Sequence, residues 1–305
     1  ALNPWHGGSH KAFLDGWIEH SRHSFTVLPL PPFKWKWRMR HSAVTFAERL
    51  RNDFQTQPRS DFDVLFCTDM LNLAEFRGLC PIEFRSLPTV LYFHENQLTY
   101  PVRQARERDL HFAYTNLTSA LAADSVWFNS AYHRDEFLIA LKDFLKRMPD
   151  FQHADSVDEI RNKSAIHYPG ISDDFFTPAN SSRNRFNGPL RILWVSRWEH
   201  DKQPELFFDG LRLLRNCGVD FRLNVLGESF GTVPDCFASS HTEFTSQIDH
   251  WGYAESRDEY LSILRSSDVV VSTASHEFFG IAILEAIAAG CHPLVPHSLA
   301  YPETL

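Results

Sequence analysis

Two carboxylates near the end of the chain have a spacing that suits a site for a polar ligand. Glu277 and Glu285 are separated by seven residues, and Gly280 between them marks a turn from which good helix formers continue to Gly290. The pattern predicts Glu277 on a loop and Glu285 on a helix, with Phe279 and Gly280 at the helix start. The amino end of a helix carries roughly half a positive charge and unpaired N–H groups. We therefore expect an anionic ligand at this turn.

Two cations follow an earlier apolar run and supply complementary charge. Arg197 and Lys202 lie in the loop after the predicted strand 191–196, and Pro204 suits the start of the next helix. When a nucleoside diphosphate leaves a sugar, negative charge builds on its phosphate oxygens, and fixed cations stabilise that transition state. With the carboxylates, the two cations predict a donor site for a nucleotide sugar. The alternative is an ordinary solvated loop.

In the first half of the chain, His94 is the residue best placed for chemistry. It ends the apolar run 89–94, which predicts a strand. Ligands of open α/β sheets bind at the carboxyl ends of the strands, where His94 would lie. The alternative is a structural histidine in the core.

The segment 32–41 interleaves cations with aromatic side chains. Cations bind phosphates and aromatic faces stack on bases, so this segment is the best candidate for contact with RNA. A solvated amphipathic edge is the alternative. The candidate residues are Lys34, Trp35, Lys36, Trp37 and Arg38.

Short apolar runs alternate with longer amphipathic stretches along the whole chain. Most runs are continuously apolar, as in strands that are buried on both faces of a parallel sheet. The alternation predicts an α/β fold of two Rossmann-like, doubly wound domains that face a cleft. The predicted strands are 63–68, 89–94, 125–129, 165–168, 191–196, 222–226 and 268–273, and the predicted helices are 10–20, 42–51, 103–122, 133–145, 204–215, 256–265 and 280–289.

A polar break at 179–189 predicts the linker between an N-terminal, acceptor-side domain at 1–178 and a C-terminal, donor-binding domain at 190–305. We recognise no strand before Gly7, so we expect the first strand of the N-terminal domain to be missing. The chain stops soon after a strand-like segment, so we also expect the C-terminal domain to be cut short and the sequence to be a fragment.

Composition excludes several classes of protein. The chain has 305 residues, of which 43% are hydrophobic and 22% charged, as is typical of a globular protein. It has no run of about eighteen apolar residues that would predict a membrane span. A net charge of −8 argues against a general nucleic-acid binder. Five cysteines without metal-type spacing fit a reducing cytoplasm, and neither the histidines nor the Asp-Phe-Asp string at 61–63 predicts a metal site.

Strings throughout the chain resemble those of the tRNA-queuosine α-mannosyltransferases. These enzymes belong to the GT4-like retaining glycosyltransferases of the GT-B fold. That group has a pair of carboxylates, and Glu277 and Glu285 of this chain match the pair. The most specific strings surround His94 and Trp198. The matching segments are 7–11, 34–38, 92–101, 197–202, 226–228, 251–253 and 276–280.

The resemblance implies transfer of mannose from GDP-mannose to queuosine at the wobble base of a tRNA, with retention of configuration. It implies that Glu285 binds the donor ribose, that Glu277 binds the sugar hydroxyls, and that His94 lies across the cleft near the reacting centre. It also implies that Gly7 and Gly8 admit the diphosphate, because glycine has no Cβ.

The same resemblance implies that no metal is needed, since Arg197, Lys202 and the helix start supply the positive charge.

Two other functions share the donor motifs. A GT4-type enzyme acting on a lipid or cell-surface glycan would carry a membrane-facing helix, for which 142–148 is the candidate. A non-enzymatic module that binds a nucleotide sugar or RNA is disfavoured because all four charged donor residues are present together. The nucleotide base, the sugar and the oligomeric state cannot be deduced from the residues themselves.

Overall fold

Two compact α/β units make up the chain. The computed structural model describes residues 1–56, 62–102, 108–176, 188–229 and 233–305, and it divides into Ala1–Gly170 and Ile171–Leu305. The division falls earlier than the predicted domain end at 178 because Phe175 is buried in the core of the second unit. Most of the predicted linker, 179–187, lies outside the described residues.

The first unit is built on a six-stranded sheet in which every pairing is parallel. Its order is β2-β1-β3-β4-β5-β6. The prediction that no strand precedes Gly7 is wrong, because Leu2 pairs with both Leu28 and Cys67. A two-residue strand is too short to be recognised as an apolar run. The strands are β1 Leu2–Asn3, β2 Leu28–Pro29, β3 Leu65–Thr68, β4 Thr89–Phe93, β5 Ser125–Phe128 and β6 Ser164–Ile166.

Helices cover both faces of this sheet, because successive residues of a strand point to opposite sides. In β4, Leu91 and Phe93 belong to the large core of the unit, whereas Tyr92 packs with Leu14 of the first helix. The helices are α1 Gly8–Glu19, α2 Trp35–Thr56, α3 Leu73–Leu79, α4 Ile82–Arg85, α5 Leu110–Ala122, α6 Ala131–Leu145 and α7 Asp155–Asn162.

Two helices of this unit begin seven residues away from their predicted starts. Helix α2 begins at Trp35 and not at residue 42, since the N–H groups of Trp37 and Arg38 donate to the Lys34 carbonyl at 2.8 and 3.1 Å. Helix α5 begins at Leu110, where the Asp109 side chain caps it, while the first residues of the predicted helix, 103–107, lie outside the described chain.

The second unit is built on a five-stranded parallel sheet with the order β11-β10-β7-β8-β9. The direction in which strands are added reverses between β7 and β10, and open α/β sheets bind ligands at such a switch point. The strands are β7 Leu190–Val195, β8 Phe221–Leu226, β9 Ile248–Gly252, β10 Val269–Val271 and β11 His292–Leu294, and the helices are α8 Pro204–Asn216, α9 Cys236–Glu243, α10 Arg257–Ser266, α11 Ile281–Ala288 and α12 Tyr301–Thr304.

Successive residues of β7 also point into two different cores, one on each face of the sheet. Trp194 packs with Phe208 of α8, whereas Leu193 packs with Ile283 of α11. Both faces of the sheet are therefore covered, and the loops at its carboxyl edge carry the polar residues.

Candidate active site

Lys202 lies at the switch point of the second sheet, in a short 3-10 turn after β7. Its side chain is only 8% exposed. The ammonium Nζ donates to the His276 carbonyl at 2.8 Å and to Glu277 Oε2 at 3.2 Å, and it lies 3.2 Å from Asp201 Oδ2. One buried cation thus joins the loops after β7 and β10. The predicted donor site requires this, because it places Lys202 near Glu277 and the start of the helix that follows.

Glu277 connects this cation to the start of α11. Its second oxygen, Oε1, accepts a hydrogen bond from Gly280 N–H at 3.2 Å. Gly280 has a φ of 83°, and a Cβ there would lie 3.0 Å from Tyr301 Cε1. Glycine is needed at this turn for its conformation and for its space. The predicted residues Lys202, Glu277 and Gly280 therefore form one connected group.

The charges of this group stabilise one another. Burial alone would raise the pKa of Glu277, but Lys202, together with His276 and Arg197, holds that pKa below its usual value. Burial alone would likewise lower the pKa of Lys202, and Glu277 and Asp201 raise it instead. Burial, followed by Lys202, lowers the pKa of His276 to about 4. At neutral pH the site therefore contains a carboxylate, an ammonium and a neutral imidazole.

Arg197, the other predicted cation, is more accessible. Its side chain is 42% exposed, and Nη2 lies 3.3 Å from Glu199 Oε2. The next residue, Trp198, stacks on Phe237 with ring centroids 4.2 Å apart, which anchors the loop beneath Arg197.

Glu285 and Phe279 have mainly internal contacts. Glu285 Oε2 accepts a hydrogen bond from the Tyr260 hydroxyl at 2.7 Å, and burial raises the pKa of Glu285. Phe279 is 7% exposed. Their predicted donor contacts stay predictions.

His94 lies at the carboxyl edge of the first sheet, directly after β4. Its ring stacks on that of His10 with centroids 3.9 Å apart and meets the edge of Phe13 at 5.1 Å. Burial, followed by His10 and His133, lowers the pKa of His94 well below its usual value. His94 is therefore neutral at physiological pH, and its buried Nε2 has no hydrogen-bond partner within the described ranges.

The two glycines at the start of α1 are suited to their positions for different reasons. A Cβ at Gly7 would lie 2.4 Å from Pro32 Cγ, so Gly7 allows close packing on Pro32. Gly8 has a φ of 52° and open space around it. Their predicted contact with a diphosphate stays a prediction.

The predicted RNA-binding residues divide between the interior and the surface. Trp35 packs on Phe112 with ring centroids 5.2 Å apart, and Arg38 donates to the Pro31 carbonyl at 2.9 Å. Trp37 is 62% exposed, and Lys34 and Lys36 are also exposed. Phe33 and Arg40 belong to the predicted segment 32–41 but not to the five candidate residues, and both are exposed.

Known families match both units. Residues 1–171 match the family model described as tRNA-queuosine alpha-mannosyltransferase N-terminal. Residues 177–305 match the model described as glycosyl transferases group 1. The tRNA-queuosine alpha-mannosyltransferase of Drosophila melanogaster is 37% identical to this chain, over 99% of the chain and 80% of that protein. The chain belongs to the tRNA-queuosine alpha-mannosyltransferase family.

A more distant relative and a solved structure are also similar to this chain. A GDP-mannose-dependent alpha-(1-6)-phosphatidylinositol dimannoside mannosyltransferase of Mycobacterium tuberculosis is 27% identical over 67% of the chain and 48% of its own length. The solved structure of Anabaena HepE in complex with UDP aligns with a TM-score of 0.65 at 15% identity, over all of this chain and 82% of that one. The predicted GT-B α/β fold of a glycosyltransferase is confirmed.

Three residues of this mannosyltransferase-family chain that support the sites were missed in the sequence. Asp69 accepts from His94 N–H at 3.0 Å, and Tyr260 holds Glu285. Gly227 lies so close to the end of β7 that a Cβ would be 1.8 Å from the Ser196 carbonyl oxygen. The position of Asp69 immediately after a predicted strand was the one usable signal.

Within the parts of the chain that the structure describes, no helix is long and apolar enough to cross a membrane. Across the same described residues there is also no group of three or more His, Cys, Asp or Glu side chains arranged to hold a metal ion. Catalysis without a metal stays a prediction.

The depressed pKa of Glu277 predicts a pH dependence of stability. The carboxylate contributes fully to the free energy of unfolding above about pH 4.3, its ordinary value, and the contribution is lost as the pH falls through the lower pKa of the folded state. We expect Glu277→Gln to destabilise the second unit by about 1–3 kcal/mol at neutral pH and progressively less in acid. Urea unfolding of both proteins across this range measures the difference, and a difference independent of pH would contradict the assignment.

Proposed function

We propose that this chain transfers mannose from GDP-mannose to queuosine in the anticodon of a tRNA, with retention at the anomeric carbon and without a metal. The convergence of Lys202, Glu277 and the first turn of α11 at the switch point carries the proposal, in a chain closely related to the Drosophila enzyme. The mycobacterial relative is named for GDP-mannose, which favours that donor. The proposed tRNA acceptor favours a cytoplasmic location for this chain.

In the proposed reaction, the bond between mannose C1 and the β-phosphate oxygen breaks, and GDP leaves with the electron pair. A hydroxyl oxygen of the queuosine cyclopentenediol forms the new bond to C1, and its proton passes to the departing phosphate. Arg197 and the α11 start stabilise the negative charge that builds on the diphosphate. Glu277 binds the mannose hydroxyls, Glu285 the ribose, and Gly7 and Gly8 line the diphosphate.

Lys202 has a different role in this proposal from that of Arg197. The ammonium of Lys202 already donates to the His276 carbonyl and to Glu277, and its Nζ forms an ion pair with Asp201 at 3.2 Å. We propose that Lys202 holds Glu277 in a fixed position and supplies a long-range positive field. The more exposed Arg197 makes the direct contact with phosphate.

The assay that tests the function mixes the protein with radiolabelled GDP-mannose and queuosine-containing tRNA. Labelled mannose is expected in nucleosides recovered from that tRNA, and not in a matched tRNA with guanosine at the wobble position. UDP-glucose and UDP-galactose serve as donor controls. Transfer from another donor, or to a lipid fraction in place of tRNA, would refute the proposal.

We further propose that the exposed basic-aromatic segment, Phe33, Lys34, Lys36, Trp37 and Arg40, contacts the tRNA. Replacing Lys34, Lys36 and Arg40 together with alanine should raise the KM for tRNA and make its salt dependence shallower, since each lost phosphate contact reduces the slope by roughly 0.7–0.9. Trp37→Ala should weaken binding by about 1–3 kcal/mol if a base stacks there.

Steady-state kinetics at several salt concentrations measure both effects. Lys146→Ala is the control, because Lys146 is an exposed lysine outside the segment, with 61% of its side chain accessible. Equal salt slopes for the triple variant and this control would exclude the segment from the RNA interface.

A further inference from the structure

The chain leaves β4 just before His94, and side chains replace neighbouring strands as partners of the backbone there. Asp69 Oδ1 accepts from His94 N–H at 3.0 Å, and Asn129 Nδ2 donates to the His94 carbonyl at 3.0 Å. Asn116 Oδ1 accepts from Gln97 N–H at 2.8 Å. The hydrogen bonding of the sheet thus continues past the strand end, over the segment that carries His94.

The three side chains come from three elements and are buried. Asp69 follows β3, Asn129 follows β5, and Asn116 lies in α5, with exposed fractions of 1%, 6% and 0%. Strands β3 and β5 flank β4 in the sheet, so His94 is held from both sides. Asn116 Nδ2 also donates to the Asp69 carbonyl at 3.2 Å, which connects two members of the group. A buried polar network of this kind fixes one local conformation.

The His94 ring is also constrained, but only by packing. It lies between the His10 ring at 3.9 Å and the Phe13 edge at 5.1 Å, and its Nε2 makes no hydrogen bond to the described chain. A buried polar atom without a partner costs about 1–3 kcal/mol, and in native proteins such an atom often marks a functional group.

We propose that Asp69, Asn116 and Asn129 form a clamp whose task is to position His94 for glycosyl transfer. The inference rests on the proposed function, because the clamp affects catalysis only if His94 acts at the reacting sugar. A reacting group displaced by about 1 Å loses roughly a hundredfold in rate. The clamp residues are positioning residues, since each bonds the backbone of the segment.

The clamp needs an acceptor at Asp69 and not a negative charge. Oδ1 accepts from the His94 N–H, and Oδ2 has no hydrogen-bond partner in the described parts of the chain. Burial, followed by Glu95, raises the pKa of Asp69 well above its usual value. An asparagine at this position keeps the acceptor without the charge, so Asp69→Asn should rescue what Asp69→Ala loses.

The test compares kcat and KM for GDP-mannose and queuosine-tRNA among four proteins: wild type, Asp69→Ala, Asp69→Asn and the control Asn224→Ala. Asn224 is also buried and donates to Ser267 Oγ at 3.0 Å, but in the second unit. We expect kcat to fall roughly ten- to a hundredfold in Asp69→Ala, with both KM values and kcat of the other two variants within about threefold of wild type. If Asp69→Ala does not fold, Asn129→Ala replaces it.

Three results would overturn the clamp: a normal kcat in Asp69→Ala, an equal loss in Asp69→Asn, or an equal loss in Asn224→Ala. A wild-type protein that transfers no mannose would refute the proposed function separately. The clamp is then judged by the imidazole NMR resonances of His94 in the same variants. They should shift in Asp69→Ala and return in Asp69→Asn, and unchanged resonances in Asp69→Ala would overturn it.

Discussion

Lys202→Met is expected to lower kcat roughly a hundredfold and to destabilise the second unit by about 3–5 kcal/mol. Methionine fills much of the lysine volume but leaves Glu277 and Asp201 without their shared cation. The ammonium is 8% exposed and lies 3.2 Å from a carboxylate oxygen of each. Two acids left together in a poorly solvated place repel each other, and the loops after β7 and β10 lose their junction. Transfer kinetics and urea unfolding at neutral pH measure the two effects.

The matched control for this substitution is Lys146→Met. Lys146 also lies 3.2 Å from a carboxylate, that of Asp143, but both side chains are well exposed, at 61% and 58%. A solvated pair of this kind contributes about 0–1 kcal/mol, so the control should unfold and react almost as the wild type does. Similar losses of stability in both variants would show that burial at Lys202 has no special importance. A stable Lys202→Met protein with full kcat would remove Lys202 from the donor site.

Gly227→Ala should destabilise the second unit by roughly 3 kcal/mol and weaken binding of GDP at the same time. The added methyl would lie 1.8 Å from the Ser196 carbonyl oxygen and 2.8 Å from Trp198 Cδ1. Backbone cannot yield as a side-chain tip can, so the ends of β7 and β8 must separate. Arg197 lies between these two contacts in sequence and would move with them. Thermal unfolding and calorimetric titration with GDP measure the effects.

The comparison variant is Gly210→Ala. Gly210 lies in the exposed part of α8 in the same unit, and a Cβ there would meet nothing within 4 Å. Alanine is the better helix former by about 1 kcal/mol, so this variant should be slightly more stable and should bind GDP normally. If Gly227→Ala behaves in the same way, the close contact between the two strand ends has no consequence for the donor site.

Much of this architecture could be predicted because it depends on local pattern. Continuous apolar runs identified β4, β7 and β8 to within two residues, and Gly280 and Gly290 bracketed α11. The strands that escaped are short or interrupted, such as Leu28–Pro29 and the edge strand His292–Leu294, each of which contains a proline.

The site was predictable only where function restricts residue type. Charged donor residues stand out along a sequence, and Lys202 and Glu277 do meet. Asp69 has a signal in its position after a predicted strand, but its bond to His94, 25 residues away, depends on the fold and could not be deduced from the sequence. Trp35 was predicted to contact RNA, and in the structure its ring packs on Phe112. Its packing follows the sequence, since Trp35, Met39, Ala43 and Phe46 have the spacing of one helix face that packs inward.

Parallel pairing also determines the order in which the donor site is assembled as the chain folds. Lys202 and Glu277 are 75 residues apart, and β7 can adopt β10 as a neighbour only after a loop of that length has closed. Contacts between distant parts of a chain form slowly, because closing the loop loses entropy before pairing compensates for it. Within this unit β7 pairs with β10 across a longer stretch of chain than with β8, so we expect the junction of Lys202 with Glu277 to form after the β7–β8 pair. Under the proposed function, a newly made chain would retain a donor only once the crossover from β9 to β10 is complete.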